Sequence, residues 1–89
     1  MVIKEMTVDQ LIGCCEDDDI PLKYKNAFEE ELVIRIKDAN LTKLQIVRIL
    51  RMDNRYFDKF LVERFYADDS FHKVICSDTK LKFCILKKI

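Results

Sequence analysis

The sequence predicts a mainly α, small helical domain that ends in a β-hairpin. Glycine and proline occur once each, as Gly13 and Pro21, which disfavours a turn-rich β fold. Apolar residues recur at the three- and four-residue spacing of amphipathic helices over most of the chain, whereas residues 80–85 alternate between polar and apolar. Hydrophobic residues form 49% of the 89-residue chain, so one domain can bury a core of its own without disulfides.

This single predicted domain, residues 1–89, has three parts: an acidic N-terminal helix over residues 1–20, a three-helix core over residues 21–66 and the hairpin over residues 70–87. In the first part, Thr7 and Gln10 have the spacing of a capping box, in which each side chain accepts a hydrogen bond from the other residue's backbone N–H. The apolar face of the helix that follows consists of Val8, Leu11, Ile12 and Cys15. The helix is expected to end at residues 16–19, because clustered acids repel one another and sit badly at the negative end of a helix.

The second helix is predicted to open at residues 19–21, since Asp19 is a good capping residue and Pro21 is tolerated in a first turn. Its apolar positions follow the helical rhythm and are Leu22, Phe28, Leu32, Val33, Ile36 and Ala39. The helix is expected to stop near residues 38–40.

Two shorter helices are predicted on either side of a break at residues 51–53. Thr42 and Gln45 form a second capping box, and the helix that they open runs to about Leu50. Asp53 or Asn54 caps the next helix, which ends near residues 66–67. The inner side of that helix is expected to carry Phe57, Phe60, Leu61 and Phe65.

The hairpin is predicted from two β-rich runs, residues 72–76 and 80–86, with a turn at residues 77–79. In the second run the apolar Leu81, Phe83 and Ile85 alternate with polar neighbours, as in a strand with one buried face. Residues 68–70 are read as the loop before the first strand.

Residues 42–64 resemble the helix-turn-helix unit of the trihelical DNA-binding family, including its winged members. With the preceding helix as the third helix the resemblance covers about half the chain, and the hairpin lies where winged members carry their wing. The matching positions are Thr42, Ile46, Leu50, Met52, Asp53, Phe57 and Leu61. Two positions depart from the pattern: Val47 stands where a small residue is usual, and Arg51 stands where the family has a glycine that often takes a positive φ.

The resemblance implies a small transcriptional regulator that places the second helix of the unit in the major groove of double-stranded DNA. Contacts to base edges are expected from Asn54, Arg55, Tyr56, Asp58 and Lys59. Contacts to phosphates are expected from Thr42, Lys43, Arg48, Arg51, Lys80 and Lys82. Because one short helix reads only a few base pairs, a homodimer is expected.

The distribution of charge fits a polyanionic partner, although the net charge is zero. Residues 1–20 hold one base and six acids, whereas residues 41–66 hold six bases and three acids. The alternative function is a protein–protein interaction module, such as a small phage- or virus-encoded inhibitor or adaptor. Such a module would use the same helices on a host protein, or the acidic N-terminus as a docking site for a basic partner.

Enzymatic chemistry is not expected, because one histidine, no Ser-His-Asp set and no glycine-rich loop leave no catalytic residues to assign. His72, Cys76 and Cys84 lack the paired spacing of zinc sites, so neither a metal nor another cofactor is predicted. No apolar run approaches the ~20 residues of a membrane span. A cytoplasmic or nucleoid-associated location is expected. Because nothing in the sequence points to an oxidising compartment, we also expect free thiols.

Overall fold

The computed structural model describes residues 2–88, so Met1 and Ile89 of the predicted domain lie outside the described residues. A short 3-10 helix at Ile3–Glu5 precedes six α-helices in this part of the chain. The helices are α1 (Val8–Glu16), α2 (Leu22–Asp38), α3 (Lys43–Arg51), α4 (Arg55–Ala67), α5 (Asp69–Cys76) and α6 (Thr79–Lys87). Residues 2–88 contain no β-strand.

Both predicted capping boxes are confirmed. At the start of α1 the Gln10 N–H donates to Thr7 Oγ1 over 3.2 Å, and the Thr7 N–H donates to Gln10 Oε1 over 2.9 Å. Thr42 and Gln45 repeat the arrangement at the start of α3, with distances of 3.1 and 2.9 Å. Each box satisfies donors that the first helical turn leaves without a partner, and it thereby fixes where the helix begins.

The opening of α2 differs from the prediction. Pro21 occupies the position before the first helical residue, and no side chain caps this end. Asp19 is not the cap, because it lies two residues before the N-cap position; its N–H donates to Asp17 Oδ1 within the preceding turn. Leu22, expected at the head of the apolar stripe, is 71% exposed, and the buried part of α2 begins only at Leu32.

The helices pack as a connected set. Helix α1 packs against α2 and α3, and α4 packs against the same two helices. Helices α5 and α6 pack against α4 and against each other. Helix α3, which belongs to the predicted three-helix core over residues 21–66, thus also packs against α1 of the predicted acidic N-terminal part.

One continuous apolar cluster joins all six helices. Its fully buried members include Leu11, Ile12, Leu32, Ile36, Ile46, Ile49, Phe57, Leu61, Ile75 and Ile85. Burial of this kind stabilises by roughly 25 cal/mol per Å² of apolar surface.

The predicted β-hairpin over residues 70–87 is wrong, because this region forms α5 and α6. Asp68 caps α5 by accepting from the Phe71 N–H over 3.1 Å, so the residues read as a loop begin a helix. In the same way Asp78 caps α6 by accepting from the Leu81 N–H over 3.2 Å. The alternation that suggested a strand does not describe burial, since Phe83 is 59% exposed while its neighbours in the pattern are buried.

Arg64 on α4 ties three helices together. Its Nη1 donates to the carbonyl oxygens of Ile36 over 2.7 Å and Ala39 over 2.6 Å, at the end of α2. The same guanidinium binds Asp68 Oδ2 at 3.3 Å and lies 4.7 Å from the centroid of the Phe71 ring. Arg64 therefore closes the carbonyl end of α2 and orients the start of α5, and its charge is not free for a ligand.

Candidate nucleic-acid interface

The turn between α3 and α4 consists of residues 52–54. The Met52 N–H still donates to the Ile49 carbonyl over 3.2 Å, so the chain leaves α3 by a tightened last turn. Arg51 stands where the family pattern has a glycine that often takes a positive φ, and the sequence left open whether Arg51 adopts it or the chain makes another turn. The positive φ lies two residues later, at Asp53, whose φ is 49°. Aspartate tolerates this region better than most residues, which explains how the turn forms without glycine.

Three of the five predicted base-contacting residues lie exposed at the start of α4. Arg55 and Lys59 are one helical turn apart and are both exposed. Tyr56 is 49% exposed and packs its ring edge-on against Phe60, with centroids 5.1 Å apart. Arg55 and Lys59 line one depression beside α4, which Tyr56 does not line.

The other two predicted base-contacting residues have structural roles. Asn54 is the cap of α4, because its Oδ1 accepts from the N–H groups of Tyr56 and Phe57 over 2.9 and 3.4 Å. Asp58 was expected to face outward, and that expectation is wrong, since the residue is only 6% exposed. Its Oδ2 lies 3.2 Å from Lys88 Nζ, and its Oδ1 has no hydrogen-bond partner within the described residues.

Lys88 brings the end of α6 against the turn. Its Nζ lies 3.1 Å from Asp53 Oδ1 as well as 3.2 Å from Asp58 Oδ2. Its hydrogen bonds to Asp53, and secondarily to Asp58, raise the pKa of Lys88 above its ordinary value. The single positive charge of the ammonium offsets one of these two negative charges, which reduces the repulsion that the carboxylates would exert on an anion at this surface.

Three of the predicted phosphate contacts lie near the acids of α1: Thr42 and Lys43 at the start of α3, and Arg48 in its last turn. The Thr42 Oγ1 accepts the capping bond from the Gln45 N–H. Lys43 is exposed, but it stands on the helical turn whose Gln45 amide donates to Asp9 over 3.3 Å. Arg48 is paired with two carboxylates of α1, at 2.6 Å from Glu16 and 3.5 Å from Asp9, so its positive charge is already offset. The acids of α1 therefore make this side of α3 a poor place for a phosphate.

The remaining bases lie around two neighbouring depressions. One lies between α3 and α6, and the bases that line it are Arg51, Lys80, Lys87 and Lys88. The other lies beside α4, and the bases that line it are Arg55, Lys59, Lys87 and Lys88. Because Lys87 and Lys88 line both, the two depressions adjoin.

We call Arg51, Arg55, Lys59, Lys80, Lys87 and Lys88 the basic surface. Within residues 2–88, Lys88 is the one member that forms an ion pair. Four carboxylates line the same two depressions: Asp53 and Asp58 bind Lys88, Asp78 caps α6, and Glu63 completes the set. Lys82 was predicted to reach a phosphate together with Lys80, but it is exposed outside both depressions.

Lys87 and Lys88 were missed by the sequence analysis, although they are central to the surface. The predicted strand separated them from the helix-turn-helix segment. A helical reading of residues 79–88 would have found them, because Leu81, Ile85 and Lys88 recur at helical spacing.

Another polar depression among the described residues is lined by three acids, Glu16, Asp18 and Glu29, and three bases, Lys25, Arg48 and Arg51, so it lacks the excess of bases that the basic surface has. His72 Nε2 lies 3.3 Å from Cys76 Sγ, but residues 2–88 contain no group of three or more potential metal ligands. None of the helices in this range combines the length and apolarity that a membrane crossing requires. Comparison with family models, curated proteins and solved structures finds no match to the chain.

Proposed function

We propose that the protein binds double-stranded DNA, with the start of α4 in the major groove and the rest of the basic surface on the flanking phosphates. The observation that carries the proposal is the convergence of five unpaired bases, Arg51, Arg55, Lys59, Lys80 and Lys87, on one face that contains the turn between two helices. A cluster of this sign and spacing is the electrostatic footprint of a polyanion site.

The roles of the individual residues follow from their positions. Arg55 is the candidate for a bidentate contact to a guanine, because it is exposed at the first residue of α4. Lys59 lies one helical turn after Arg55 in the same depression, and Tyr56 is exposed at the next position of the helix; in the proposal both supply contacts to a base or the sugar-phosphate chain. The phosphate contacts in the proposal are Arg51 and Lys80, which the sequence analysis also predicted, together with Lys87. Thr42, Lys43, Arg48 and Lys82 are no longer among them.

The proposed contact of α4 with DNA would specify only a few base pairs. With Asn54 and Asp58 committed to the cap and to Lys88, three side chains remain at the groove-facing end of α4. So few contacts specify only a few base pairs, which favours two copies acting on adjacent half-sites about 10 base pairs apart. A role in transcription belongs to the same proposal and rests on the resemblance to the helix-turn-helix family.

The test is fluorescence polarisation with a labelled mixed-sequence duplex of about 20 base pairs. We expect salt-sensitive binding, with affinity falling as about the third to fifth power of salt concentration for three to five phosphate contacts. The Arg55→Ala/Lys59→Ala variant should lose most of this affinity.

The matched control removes the same number of charges elsewhere. Lys23→Ala/Lys73→Ala changes two exposed bases, on α2 and α5, that line neither depression. This control should bind like the unmodified protein, and both variants should keep their helical circular dichroism. Undetectable binding at about 50 mM salt, or equal losses in the two variants, would refute the proposal.

A further inference from the structure

An apolar groove separates α3 from α6 and has a volume of about 640 Å³. Its apolar lining comes from both helices and consists of Val47, Leu50, Leu81 and Cys84. We call these four residues and the bases around them the α3–α6 groove. Its volume falls in the range of about 300–1,000 Å³ that is common for ligand sites.

The apolar residues of the groove lie deeper than its basic residues, and this difference limits which ligand can bind. Leu50 and Leu81 are 9% and 3% exposed, so they form its floor. The basic residues at its edge, Arg51, Lys80 and Lys87, are all exposed. The groove thus offers recessed hydrocarbon surrounded by positive charge.

The charges that line the α3–α6 groove limit which ligands can bind there. The lining contains four bases and one acid, Asp78, whose carboxylate already accepts the Leu81 N–H. A ligand that buries apolar side chains here must therefore carry negative charge beside them. An amphipathic helix with a leucine-type stripe and flanking carboxylates has this pattern, and docking of such a helix in a groove is a recurrent mode of recognition.

We propose that the α3–α6 groove binds an acidic amphipathic helix of a partner protein. The proposal assigns phosphate contacts to the bases around the groove, and a phosphate-sugar chain has no apolar side group to bury against the floor, so the proposed DNA contact does not explain the groove. A flat anionic bilayer would meet the exposed bases before it reached Leu50 and Leu81. A helix can insert side chains between the bases and bury them against the floor.

The inference goes beyond the proposed function and does not depend on it, although the two sites share Arg51, Lys80 and Lys87. If both proposals are correct, binding of the acidic helix and binding of the duplex exclude each other, because the two sites share these bases. The sites are separable by mutation, because Arg55 and Lys59 line only the depression beside α4, and Val47 and Cys84 line only the groove.

The probe is a fluorescent, end-blocked peptide of about 15 residues, long enough for a marginally stable helix, with leucines on one face and glutamates elsewhere. Binding to the full chain is measured by polarisation, and a peptide of the same composition with the leucines dispersed is the control. We expect saturable binding of the first peptide and at least about tenfold weaker binding of the second.

Two substitutions on α6 supply a matched pair. Cys84 lines the groove, and the adjacent Phe83 is 59% exposed outside it. Cys84→Asp places a carboxylate in the groove and should weaken peptide binding by about tenfold or more, because like charges repel where water is excluded. Phe83→Asp adds the same charge outside the groove and should have a much smaller effect. Both positions tolerate the change sterically, and circular dichroism checks the fold.

A second pair tests the bases. Lys80→Glu/Lys87→Glu should abolish binding of the acidic peptide, whereas Lys73→Glu/Lys82→Glu, with the same net change outside the groove, should retain most of it. Arg55→Ala/Lys59→Ala should leave peptide affinity nearly unchanged while it removes DNA binding, so failure of one proposal is distinguishable from failure of the other.

The proposal is overturned if both peptides bind equally or neither binds at millimolar concentration. It is also overturned if Cys84→Asp and Phe83→Asp weaken binding to the same extent. Vesicles of phosphatidylcholine with phosphatidylserine are the third probe: binding to them that is lost equally in both α6 variants would identify a membrane surface instead of a protein site.

Discussion

Lys88 and Asp58 form an ion pair between the end of α6 and the first turns of α4, with Nζ 3.2 Å from Oδ2. Lys88 also reaches Asp53 in the turn before α4, so one ammonium holds α6 against two successive parts of the chain. The position of Lys87 on the basic surface depends on this contact, because the two residues are adjacent.

The first prediction concerns the pH dependence of this contact. The pKa of Lys88 is raised in the folded protein above the ordinary value of 10.5, so the charged form is favoured by folding. Its stabilising contribution is therefore complete below pH 10.5 and is lost as the pH rises through the folded-state pKa. Lys88→Met should lower the urea midpoint at neutral pH, and its difference from the unmodified protein should shrink above pH 10.5. A constant difference across that range would contradict the assigned role.

The second prediction concerns the acids of α1. Arg48 is held by Glu16 and Asp9, so Arg48→Ala should leave DNA affinity nearly unchanged. Arg51→Ala, one helical turn away, should weaken binding to all sequences and reduce the slope of log affinity against log salt by about one. Glu16→Gln should increase affinity, because it removes one of the two acids that offset the Arg48 charge and leaves only Asp9. Polarisation titrations at three salt concentrations measure all three effects, and a larger loss at Arg48 than at Arg51 would reverse the assignment.

The third prediction separates the helical C-terminal region from the hairpin that the sequence suggested. A strand would place Phe83 and Ile85 on one buried face, whereas α6 buries Ile85 fully and leaves Phe83 exposed. Ile85→Ala should lower the free energy of unfolding by about 2–5 kcal/mol, because it leaves a cavity in the core. Phe83→Ala should change it by no more than about 0.5 kcal/mol. Similar losses at both positions in urea denaturation would favour the strand.

These two residues also show why part of the fold was beyond prediction from sequence. Leu81, Phe83 and Ile85 fit a two-residue period, while Leu81 and Ile85 alone fit a helical one, and a short run does not decide between them. Helix caps distinguish the helix from the strand. The capping residues Asp68 and Asp78, however, were predicted to be loop and turn residues. Thr7 and Thr42 were predicted correctly because each has its glutamine partner three residues later, so the signal lies wholly within the local sequence.

The candidate surface shows the same division between local and long-range information. The exposure of Arg55 and Lys59 follows from helical periodicity, so the sequence analysis found them. The burial of Asp58 depends on Lys88, which lies 30 positions later and arrives through the packing of α6. Likewise, Arg48 looks free until α1 packs against α3. Such pairings require the tertiary arrangement, which one sequence does not specify.

The fourth prediction concerns the thiols. Burial, with the nearby Glu29 as a secondary cause, raises the pKa of Cys15 to about 12. Cys84 is exposed on α6, and its thiol meets solvent in the α3–α6 groove. Iodoacetamide at pH 8 should therefore alkylate Cys84 well before Cys15, since the thiolate is the reacting form. Peptide mass spectrometry over a time course gives the order, and equal reactivity in urea would show that the difference belongs to the fold.

The fifth prediction concerns the backbone of the turn. Asp53 has a φ of 49°, which glycine adopts without strain and alanine does not. Asp53→Gly and Asp53→Ala both remove the contact with Lys88, so their comparison isolates the backbone. The alanine variant should be less stable than the glycine variant by about 1–2 kcal/mol. Chemical denaturation of the two variants measures the difference, and equal stabilities would mean that the turn relaxes to a negative φ.

The guanidinium of Arg64 makes the last turn of α2 depend on a distant part of the chain. The carbonyl oxygens of Ile36 and Ala39 receive their hydrogen bonds from a side chain that comes 25 or more positions later. An isolated helix frays at its ends, but this end is fastened only when α4 is in place. Opening at the end of α2 is thus coupled to separation of α4. These two helices should therefore lose their structure together, instead of α2 unravelling first from that end.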